Sequence, residues 1–266
     1  MLRFLKRRPR PSPPRDVGFE GDFTSWSEAK AVCSGYDEPV ILDKTKAAIA
    51  AVRDGVAAYE RDSVLFDRPE RPYPLIACLL ATALANKGCL SILDFGGSLG
   101  SSYFQCRPLL KSVSRLRWAV VEQPHYVEVG RREFTSHELT FYDSPEEACR
   151  AERPNLLLVS GVLAYLPKPH ETLDELLRLQ IPSVVVDRTA FLQSDRDRLT
   201  MQIVPSEIYP ASYPAWFLGE PRFLAAFRHH GYDTVEGWQG SDRYSLDGDE
   251  CLFKGFFFVS GGSDRA

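Results

Sequence analysis

From Ser91 onward, short apolar runs alternate with stretches of helical character, and this alternation limits the possible folds more than any other feature of the chain. Short apolar runs that are separated by helices are typical of buried strands in a parallel sheet. The pattern therefore predicts an α/β domain with crossover helices. The runs that we expect to be strands are Leu90 to Phe95, Trp118 to Glu122, Leu139 to Tyr142, Leu156 to Ser160 and Val184 to Asp187.

The regular alternation stops at Arg188, and the segment from Arg188 to Gly219 is rich in Pro, Tyr and Gln. A connection of this length inside a domain is usually a lid or a binding segment, so residues 188–219 are expected to be an aromatic-rich insertion. Glu220 to His230 then predicts a helix. The last two strands, around Thr234 to Trp238 and Leu252 to Val259, are close enough for a hairpin, which would make the last strand antiparallel.

Two different regions precede the sheet domain, which is expected to span residues 89–266. Residues 21–88 are predicted to be a helical cap that begins at Ser25, because Ser25 and Glu28 have the spacing of a capping box. Residues 1–20 are predicted to be a flexible arm, because prolines prevent a helix there and few apolar residues are present.

The distribution of charge argues against one class of partner. The formal net charge is −4, from 32 basic and 36 acidic residues, but six of the basic residues lie in the arm before the first acid, Asp16. The rest of the chain is thus clearly acidic and would repel a phosphate backbone, so no nucleic-acid partner is expected. The basic arm itself could make weak peripheral contact with anionic lipid.

Other compositional features exclude further classes of protein. The longest apolar run, Leu75 to Ala85, is too short to cross a bilayer, so we expect no transmembrane segment and a cytoplasmic location. The six cysteines form no C-x-x-C pair, and the five histidines lack the spacing of metal ligands. The sequence therefore predicts neither a disulfide framework nor a protein-bound metal.

The strongest local motif is a glycine-rich turn after the first strand of the sheet domain, Ile92-Leu93-Asp94-Phe95-Gly96-Gly97-Ser98-Leu99-Gly100. Glycines let the backbone approach a ligand closely, and the helix that follows offers free N–H donors. This pattern predicts a nucleotide-type ligand site, although a tight turn that needs glycine only for its geometry would give the same pattern.

A second motif narrows the choice of ligand. Glu122 ends the next strand, 22 positions after Gly100, close to the offset of ~20 residues at which a carboxylate reaches ribose hydroxyls. The dinucleotide pattern G-x-G-x-x-G counted from Gly96 fails at Ser98 and Ser101. An acid two residues before the first glycine, Asp94, instead suits a ligand that carries an ammonium group and no pyrophosphate, as S-adenosylmethionine does.

These residues resemble the first motif of class I S-adenosylmethionine-dependent methyltransferases, acid-x-G-x-G-x-G, with Ser98 in place of the middle glycine. More closely, the chain resembles a family of methyltransferases associated with bacterial surface-polysaccharide gene clusters. This second resemblance covers nearly the whole chain from Gly21. It is carried by Trp26-Ser27-Glu28-Ala29, Gly35-Tyr36-Asp37, Glu60-Arg61-Asp62-Ser63, Leu93 to Gly100, Val121-Glu122-Gln123, Ser160 to Leu166, Asp187-Arg188-Thr189 and Tyr213-Pro214-Ala215-Trp216.

The resemblance implies a Rossmann-like class I methyltransferase fold, with a mainly parallel sheet, an antiparallel last strand and an N-terminal helical cap. It implies S-adenosylmethionine as the cofactor, with Glu122 on the ribose, Asp143 or Tyr142 facing the adenine, and Ser160 to Leu163 along the methionine side. The predicted cofactor-binding residues are Asp94, Gly96, Gly97, Gly100, Glu122, Asp143 and Ser160.

The catalytic residues are less constrained by the sequence. Methyl transfer needs alignment of the reacting groups, and a base if the acceptor is a hydroxyl. Several residues near strand ends or in the long connection could act as the base, and Arg188 could pair with Asp187 or hold an acidic group of the substrate. The candidates are Asp62, His125, Tyr165, His170, Asp187, Arg188 and Glu207.

The leading functional hypothesis is transfer of a methyl group to a small-molecule or carbohydrate-type acceptor, most simply at oxygen. One alternative is a nicotinamide-dependent sugar-modifying oxidoreductase, which the missing glycines disfavour. The other is a non-catalytic module that binds S-adenosylmethionine, which the lack of an identifiable base favours. Binding without turnover would distinguish this module from the enzyme.

Overall fold

All five strands that the apolar runs predict are present in one central sheet. The computed structural model describes residues 18–34, 38–61, 63–204 and 211–261. Two short strands, β2 (Tyr59–Arg61) and β3 (Val64–Phe66), form a separate hairpin. The strands of the central sheet are β1 (Gly18–Phe23), β4 (Cys89–Phe95), β5 (Arg115–Val121), β6 (Leu139–Tyr142), β7 (Leu156–Ser160), β8 (Ser183–Leu192), β9 (Arg198–Val204), β10 (Ala211–Gly219), β11 (Tyr232–Leu246) and β12 (Asp249–Ser260).

Helices connect these strands and cover both faces of the sheet. They are α1 (Trp26–Val32), α2 (Glu38–Arg53), α3 (Tyr73–Ala85), α4 (Ser101–Cys106), α5 (Pro124–Glu133), α6 (Pro145–Glu152), α7 (Pro169–Arg178) and α8 (Glu220–His229).

The sheet is parallel at its centre and closes with an antiparallel hairpin. Strands β6, β5, β4, β7 and β8 are neighbours in that order and run parallel. Strand β12 runs antiparallel to β8, and β11 runs antiparallel to β12. The expected antiparallel last strand is therefore confirmed, as is the Rossmann-like fold with a mainly parallel sheet. Because β4 lies between β5 and β7, the direction of strand order reverses at β4. In open α/β sheets, ligands bind at such a reversal, beside the carboxyl ends of the strands.

Both faces of the central strands are buried, which explains their nearly continuous apolar sequences. Ile92 and Trp118 face one side, where they pack with residues of α3 such as Leu79. Leu93 and Val184 face the other side, where they pack with residues of α7 and α8. The predicted helix after Gly219 and the hairpin that follows it are also present, as α8 and the pair β11 and β12.

The segment 188–219 differs from the irregular connection that its composition predicts. Strand β8 continues to Leu192, and β9 and β10 form an antiparallel pair that extends the sheet; residues 205–210 lie outside the described part of the chain. Pro214 argues against a strand in a sequence analysis. Pro214 is accommodated because the part of β10 that contains it does not pair with β8. Among the described residues, β10 pairs with β8 only at Leu218 and Gly219, so the missing N–H group of Pro214 removes no hydrogen bond between these two strands.

The N-terminal region is helical, as expected, but also contains strands. Ser25 caps α1, accepting a hydrogen bond of 3.2 Å from the Glu28 N–H, which agrees with the predicted helix start. Strand β1 pairs with β9, so Gly18 to Glu20, which the sequence analysis assigns to the arm, belong to the sheet. Residues 1–17 lie outside the described residues. Among those that are described, no helix has the length and apolarity needed to cross a bilayer.

The start of β1 at Gly18 leads to a prediction about truncation of the N-terminal region. Deleting residues 1–15 should leave the melting temperature unchanged, because their prolines and charges offer little apolar surface to a core. Deleting residues 1–23 should destabilise the protein by about 1 to 2 kcal/mol, because it also removes Phe19, which packs edge-on against Phe217 and Tyr244. Thermal unfolding of the two truncated proteins tests this. Equal losses in both would place a stabilising contact before β1.

Candidate functional site

The glycine-rich turn connects β4 to α4 at the point where the strand order reverses. Gly96 N–H donates a hydrogen bond of 2.9 Å to the Val121 carbonyl, which fixes the turn against the end of β5. Gly96 has a φ of 72° and Gly100 a φ of 95°, conformations in the left-handed region that glycine adopts without strain. The turn therefore has the position and backbone shape that the sequence predicts.

The protein itself fills the space around these glycines. A Cβ atom at Gly96 would overlap the Val162 side chain, and one at Gly97 would lie 2.5 Å from the Asp94 Oδ2 atom. The glycines are thus required by packing and backbone conformation. A bulky substitution at Gly96, such as valine, would disturb the fold as well as any ligand, so it cannot serve as a clean test of ligand binding.

The overlap with Val162 leads to a second prediction. Gly96→Ala should destabilise the protein by about 1 to 2 kcal/mol, because it combines a steric overlap with a left-handed φ. Adding Val162→Ala removes the overlapping methyl groups and should recover part of that loss, whereas Val162→Ala alone should be destabilising. Urea unfolding of the three variants measures the coupling. Strict additivity of the two substitutions would contradict the predicted contact.

Asp94 lies beneath the turn and is buried, with 1% of its surface exposed. Its Oδ2 atom accepts a hydrogen bond of 2.8 Å from the Trp118 indole N–H. Burial raises the pKa of Asp94 to about 7, and the negative charge of Glu122 adds to this rise. The hydrogen bond from Trp118 has the opposite effect and lowers the pKa. The carboxyl group is therefore near the turn, as the sequence predicts, but it also has a partner within the core.

Glu122 brings the two sequence motifs together. It follows β5, and its carboxylate accepts hydrogen bonds from the N–H groups of Gln123, at 2.7 Å, and of Ser98, in the glycine-rich turn. Burial raises the pKa of Glu122, while these two hydrogen bonds and the nearby His125 oppose the rise. A half-buried carboxylate thus lies directly beside the turn, at the carboxyl end of the neighbouring strand.

The predicted adenine side is more exposed. Asp143 follows β6 and forms an ion pair of 2.9 Å with Arg131, both side chains being about half exposed at 47%. The neighbouring Tyr142 hydroxyl donates a hydrogen bond of 2.8 Å to Glu152. Both residues are at the carboxyl edge of the sheet, and their contact with an adenine ring stays a prediction.

Ser160 ends β7 on the other side of β4. The next residue, Gly161, has a φ of 65°, and its N–H donates a hydrogen bond of 3.0 Å to the Asp187 carbonyl of β8. Val162 then lies over Gly96. The segment from Ser160 to Val162 therefore borders the glycine-rich turn, and the carboxyl ends of β4, β5 and β7 bring together Ser160, Glu122 and the turn.

Two of the catalytic candidates are held by neighbours in β9 and β10 or directly before β9. The Tyr165 hydroxyl donates a hydrogen bond of 3.0 Å to Gln202 in β9, and its ring packs edge-on against Tyr213 in β10, with centroids 5.4 Å apart. His170, at the start of α7, lies 2.8 Å from the carboxylate of Asp197. This carboxylate also accepts hydrogen bonds from Arg222 and from the Gly219 N–H, so His170 helps to tie α7 to the end of β10.

The other candidates differ in how they are placed. Asp62 and Glu207 lie outside the described residues. Asp187 is buried and accepts a hydrogen bond of 2.9 Å from the Trp238 indole N–H, so its side chain is not simply paired with Arg188. Burial raises the pKa of Asp187, and the Trp238 hydrogen bond and Arg188 oppose this rise. Arg188 is exposed beside Gly161.

The sequence analysis missed Trp118 and Trp238, which donate hydrogen bonds to the buried carboxyl groups of Asp94 and Asp187. The sequence does contain a signal for such a contact, because a tryptophan in a buried strand needs an acceptor for its indole N–H group. The identity of the acceptor depends on strand pairing and is not predicted by the local sequence. Within the described residues, no group of His, Cys, Asp or Glu side chains has a metal-binding arrangement.

Comparisons with known proteins give matches only among solved structures. No protein-family model matches the chain, and no curated protein matches it. The N-terminal domain of EvdMO1, solved in the presence of SAH and D-fucose, is 13% identical, with a TM-score of 0.48 over 85% of this chain and 97% of that chain. Magnesium protoporphyrin IX methyltransferase (ChlM) from Synechocystis PCC 6803 with bound SAM is 12% identical, with a TM-score of 0.45 over 81% and 83%. The glycopeptide N-methyltransferase MtfA is 11% identical, with a TM-score of 0.42 over 69% and 90%.

At these identities and scores the likeness does not assign the fold, which the strand order of this chain defines by itself. The strand order is β6, β5, β4, β7, β8, β12 and β11, and only β12 is reversed in this series. The chain therefore has a Rossmann-like fold with a mainly parallel sheet and an antiparallel hairpin, and a candidate ligand site lies at the carboxyl ends of β4, β5 and β7.

Proposed function

We propose that this protein is an S-adenosylmethionine-dependent methyltransferase that acts on a hydroxyl group of a small-molecule or carbohydrate-type acceptor. One observation carries the proposal. The half-buried Glu122 carboxylate lies at the end of β5 and accepts a hydrogen bond from Ser98, in the glycine-rich turn that follows β4. In the proposed complex this carboxylate would accept hydrogen bonds from the ribose hydroxyls, and the turn beside it would take the methionine part of the cofactor, at the reversal of strand order.

The described residues suit this cofactor better than a nicotinamide dinucleotide. A pyrophosphate needs glycines where Ser98 and Ser101 stand. Glu122 would hold the ribose, Asp143 or Tyr142 would face the adenine, and Ser160 would border the methionine part. Asp94 would act from beneath the turn, on its backbone or on the ammonium group.

The cofactor supplies an electrophilic methyl group, and the role of the chain is to align it with the acceptor and to exclude water. An acceptor hydroxyl also has to lose its proton. The candidates for the base that we propose are Asp62, in the cap sequence, and Tyr165, on the segment after Ser160, whose hydroxyl would have to leave its hydrogen bond to Gln202. His170 is engaged with Asp197 and helps to hold α7 in place. The non-catalytic alternative stays open to test, since it requires binding without turnover.

The proposed acceptor is a precursor of a bacterial surface polysaccharide, modified in the cytoplasm. The support for this is the resemblance carried by motifs such as Ser160 to Leu166 and Tyr213-Pro214-Ala215-Trp216. The aromatic side chains of Tyr165, after β7, and Tyr213, in β10, pack against each other and would offer a surface on which a sugar ring could stack.

Calorimetry with the purified full-length protein tests the proposal. S-adenosylmethionine and S-adenosylhomocysteine should bind with micromolar affinity, and NAD and NADP should produce no heat. Transfer of a labelled methyl group to an acceptor would then separate the enzyme from the binding module. Preference for a nicotinamide cofactor would overturn the methyltransferase assignment.

A further inference from the structure

Exposed basic side chains gather at the amino edge of the parallel sheet, opposite the candidate ligand site. Lys87 lies between α3 and β4, Lys111 precedes β5, and Arg115 is the first residue of β5. Strands β4, β5, β7 and β8 are parallel, so they all begin at this edge. Strands β7 and β4, with 5 and 7 residues, separate the edge from the candidate site by about 16 to 23 Å.

Backbone hydrogen bonds bring the first three bases together. The Gly88 carbonyl accepts hydrogen bonds from the N–H groups of Ser114, at 2.9 Å, and Arg115, at 3.2 Å. The connection that carries Lys87 therefore lies directly beside the start of β5. Lys111 is in the short turn just before Ser114, so it lies at the same edge.

Two more exposed bases continue this edge toward β8. Arg153 precedes β7, and Arg178 is the last residue of α7, before β8. Asn155 links their connections, because its N–H donates a hydrogen bond of 2.9 Å to the Ser91 carbonyl in β4, and its carbonyl accepts one of 3.2 Å from the Ser183 N–H in β8. The bases thus follow the starts of four adjacent parallel strands.

Acidic side chains do not offset this charge. Glu138 pairs with Arg107, and Glu152 lies 3.9 Å from Arg117, so the acids nearest to the edge already have basic partners. The connections that carry Lys87 and Lys111 contain no acid. Within the described part of the chain, no ion pair involves any of the bases at this edge. The edge is therefore basic, although the formal net charge of the chain is −4.

Two exposed leucines lie among these bases. Leu84, in the last turn of α3, is 83% exposed, and Leu109, two positions before Lys111, is 41% exposed. The Lys87 N–H donates a hydrogen bond of 3.3 Å to the Leu84 carbonyl, so this leucine is held one turn before the first base. Apolar side chains next to Lys and Arg are typical of surfaces that bind the interface of an anionic bilayer.

We infer that this amino-edge surface, which consists of Leu84, Leu109 and the bases Lys87, Lys111, Arg115, Arg153 and Arg178, binds an anionic membrane surface. The bases contact lipid phosphate groups, and the two leucines enter the headgroup region. A soluble polyanion would need the bases alone, so the leucines favour the bilayer as the partner. The candidate ligand site then opens away from the membrane, and binding is independent of the cofactor because the two surfaces lie at opposite edges of the sheet.

Vesicle flotation tests the inference with the full-length chain, in a parent protein whose six bases before Asp16 are replaced by glutamine so that the arm does not contribute. The parent should float with vesicles of equal parts phosphatidylcholine and phosphatidylglycerol, but not with phosphatidylcholine alone. Binding should weaken when salt is raised from about 0.1 M to about 1 M, because the screening length falls from about 10 Å to about 3 Å.

The bases are tested together in the triple variant K87Q/K111Q/R115Q. Its affinity for the anionic vesicles should fall by about fivefold for each charge removed. The matched control is K30Q/K168Q/R243Q, which removes three exposed bases on α1, before α7 and in β11, away from this edge, and it should bind like the parent. Because the substituted positions are exposed, the melting temperatures should be unchanged.

Leu84→Ala tests the apolar contact and should weaken vesicle binding by about tenfold. Leu65→Ala, at a leucine of the cap hairpin that is 48% exposed, is its control and should have no effect. Undiminished vesicle binding in the triple variant would overturn the inference. Undiminished vesicle binding in Leu84→Ala would also overturn it, and if the parent then bound a DNA duplex through the same bases, the partner would be a soluble polyanion.

Discussion

Replacing Glu122 with alanine should weaken binding of S-adenosylmethionine by on the order of 2 to 4 kcal/mol, which corresponds to about 30-fold to 1000-fold in Kd. The half-buried carboxylate would otherwise accept two charge-assisted hydrogen bonds from the ribose hydroxyls. Calorimetric titration of the variant with S-adenosylmethionine and S-adenosylhomocysteine measures the loss. Both ligands should be affected equally, because they share the ribose.

Two control variants separate the ribose contact from support of the turn. Glu122 also accepts hydrogen bonds from Ser98 and Gln123. Glu122→Gln keeps one acceptor oxygen for the backbone but loses the charge, so it should show an intermediate loss of affinity. Glu128→Ala, at an exposed position on α5 with 78% of the side chain accessible, should bind like the wild type. Unchanged affinity in a folded Glu122→Ala protein would remove the ribose assignment.

Asp94→Asn should gain stability relative to the wild type as the pH rises from 5 to 8, by about 2 to 3 kcal/mol. The pKa of Asp94 is raised to about 7 by burial, whereas an unfolded aspartate ionises near pH 4. Between these values the unfolded wild-type chain releases a proton that the folded protein keeps, so the stability of the wild type falls as the pH rises. The asparagine variant has no proton to lose and can still accept the hydrogen bond from Trp118.

Urea unfolding of both proteins at pH 5 and pH 8 measures this difference, and comparison of the two proteins cancels the titration of all other groups. A difference in stability that is constant across this range would contradict a protonated, buried carboxyl group. The same measurement with saturating S-adenosylmethionine tests the predicted role of Asp94. If the ammonium group of the cofactor acts on Asp94, it lowers the pKa of the carboxyl and should reduce the loss of stability in the wild type.

The parts of the fold that the sequence predicts well are those that local patterns determine. Strands β6 and β7 begin and end as predicted, because both are short apolar runs bounded by polar residues. Strands β9 and β10 were missed because β9 pairs with β1, far away in the chain, and because Pro214 interrupts the usual strand signal in β10. Such strands depend on tertiary context more than on propensity.

The residues of the candidate site also divide into those that local sequence patterns predict and those that depend on tertiary pairing. The glycine-rich turn and Glu122 are recognisable because each follows a strand, and parallel neighbours bring these strand ends together. The left-handed conformation of Arg188 has no local signal, since it results from the unequal pairing of β8 with β12. The partners Trp118 for Asp94 and Asp197 for His170 also follow from packing, 24 and 27 positions along the chain.

The pairing of β1 with β9 has a consequence for how the protein folds. In this edge of the sheet, Asp22 and Arg196 form an ion pair although they are 174 positions apart in the chain. During synthesis at 5–20 residues per second, the ribosome needs about 10 to 40 s after β1 to add β9, the strand with which β1 pairs. Long-range pairings of this kind also close slowly. Strand β1 therefore leaves the ribosome long before its partner β9 and is among the last strands to dock, and a probe on Phe19 would report the completion of folding.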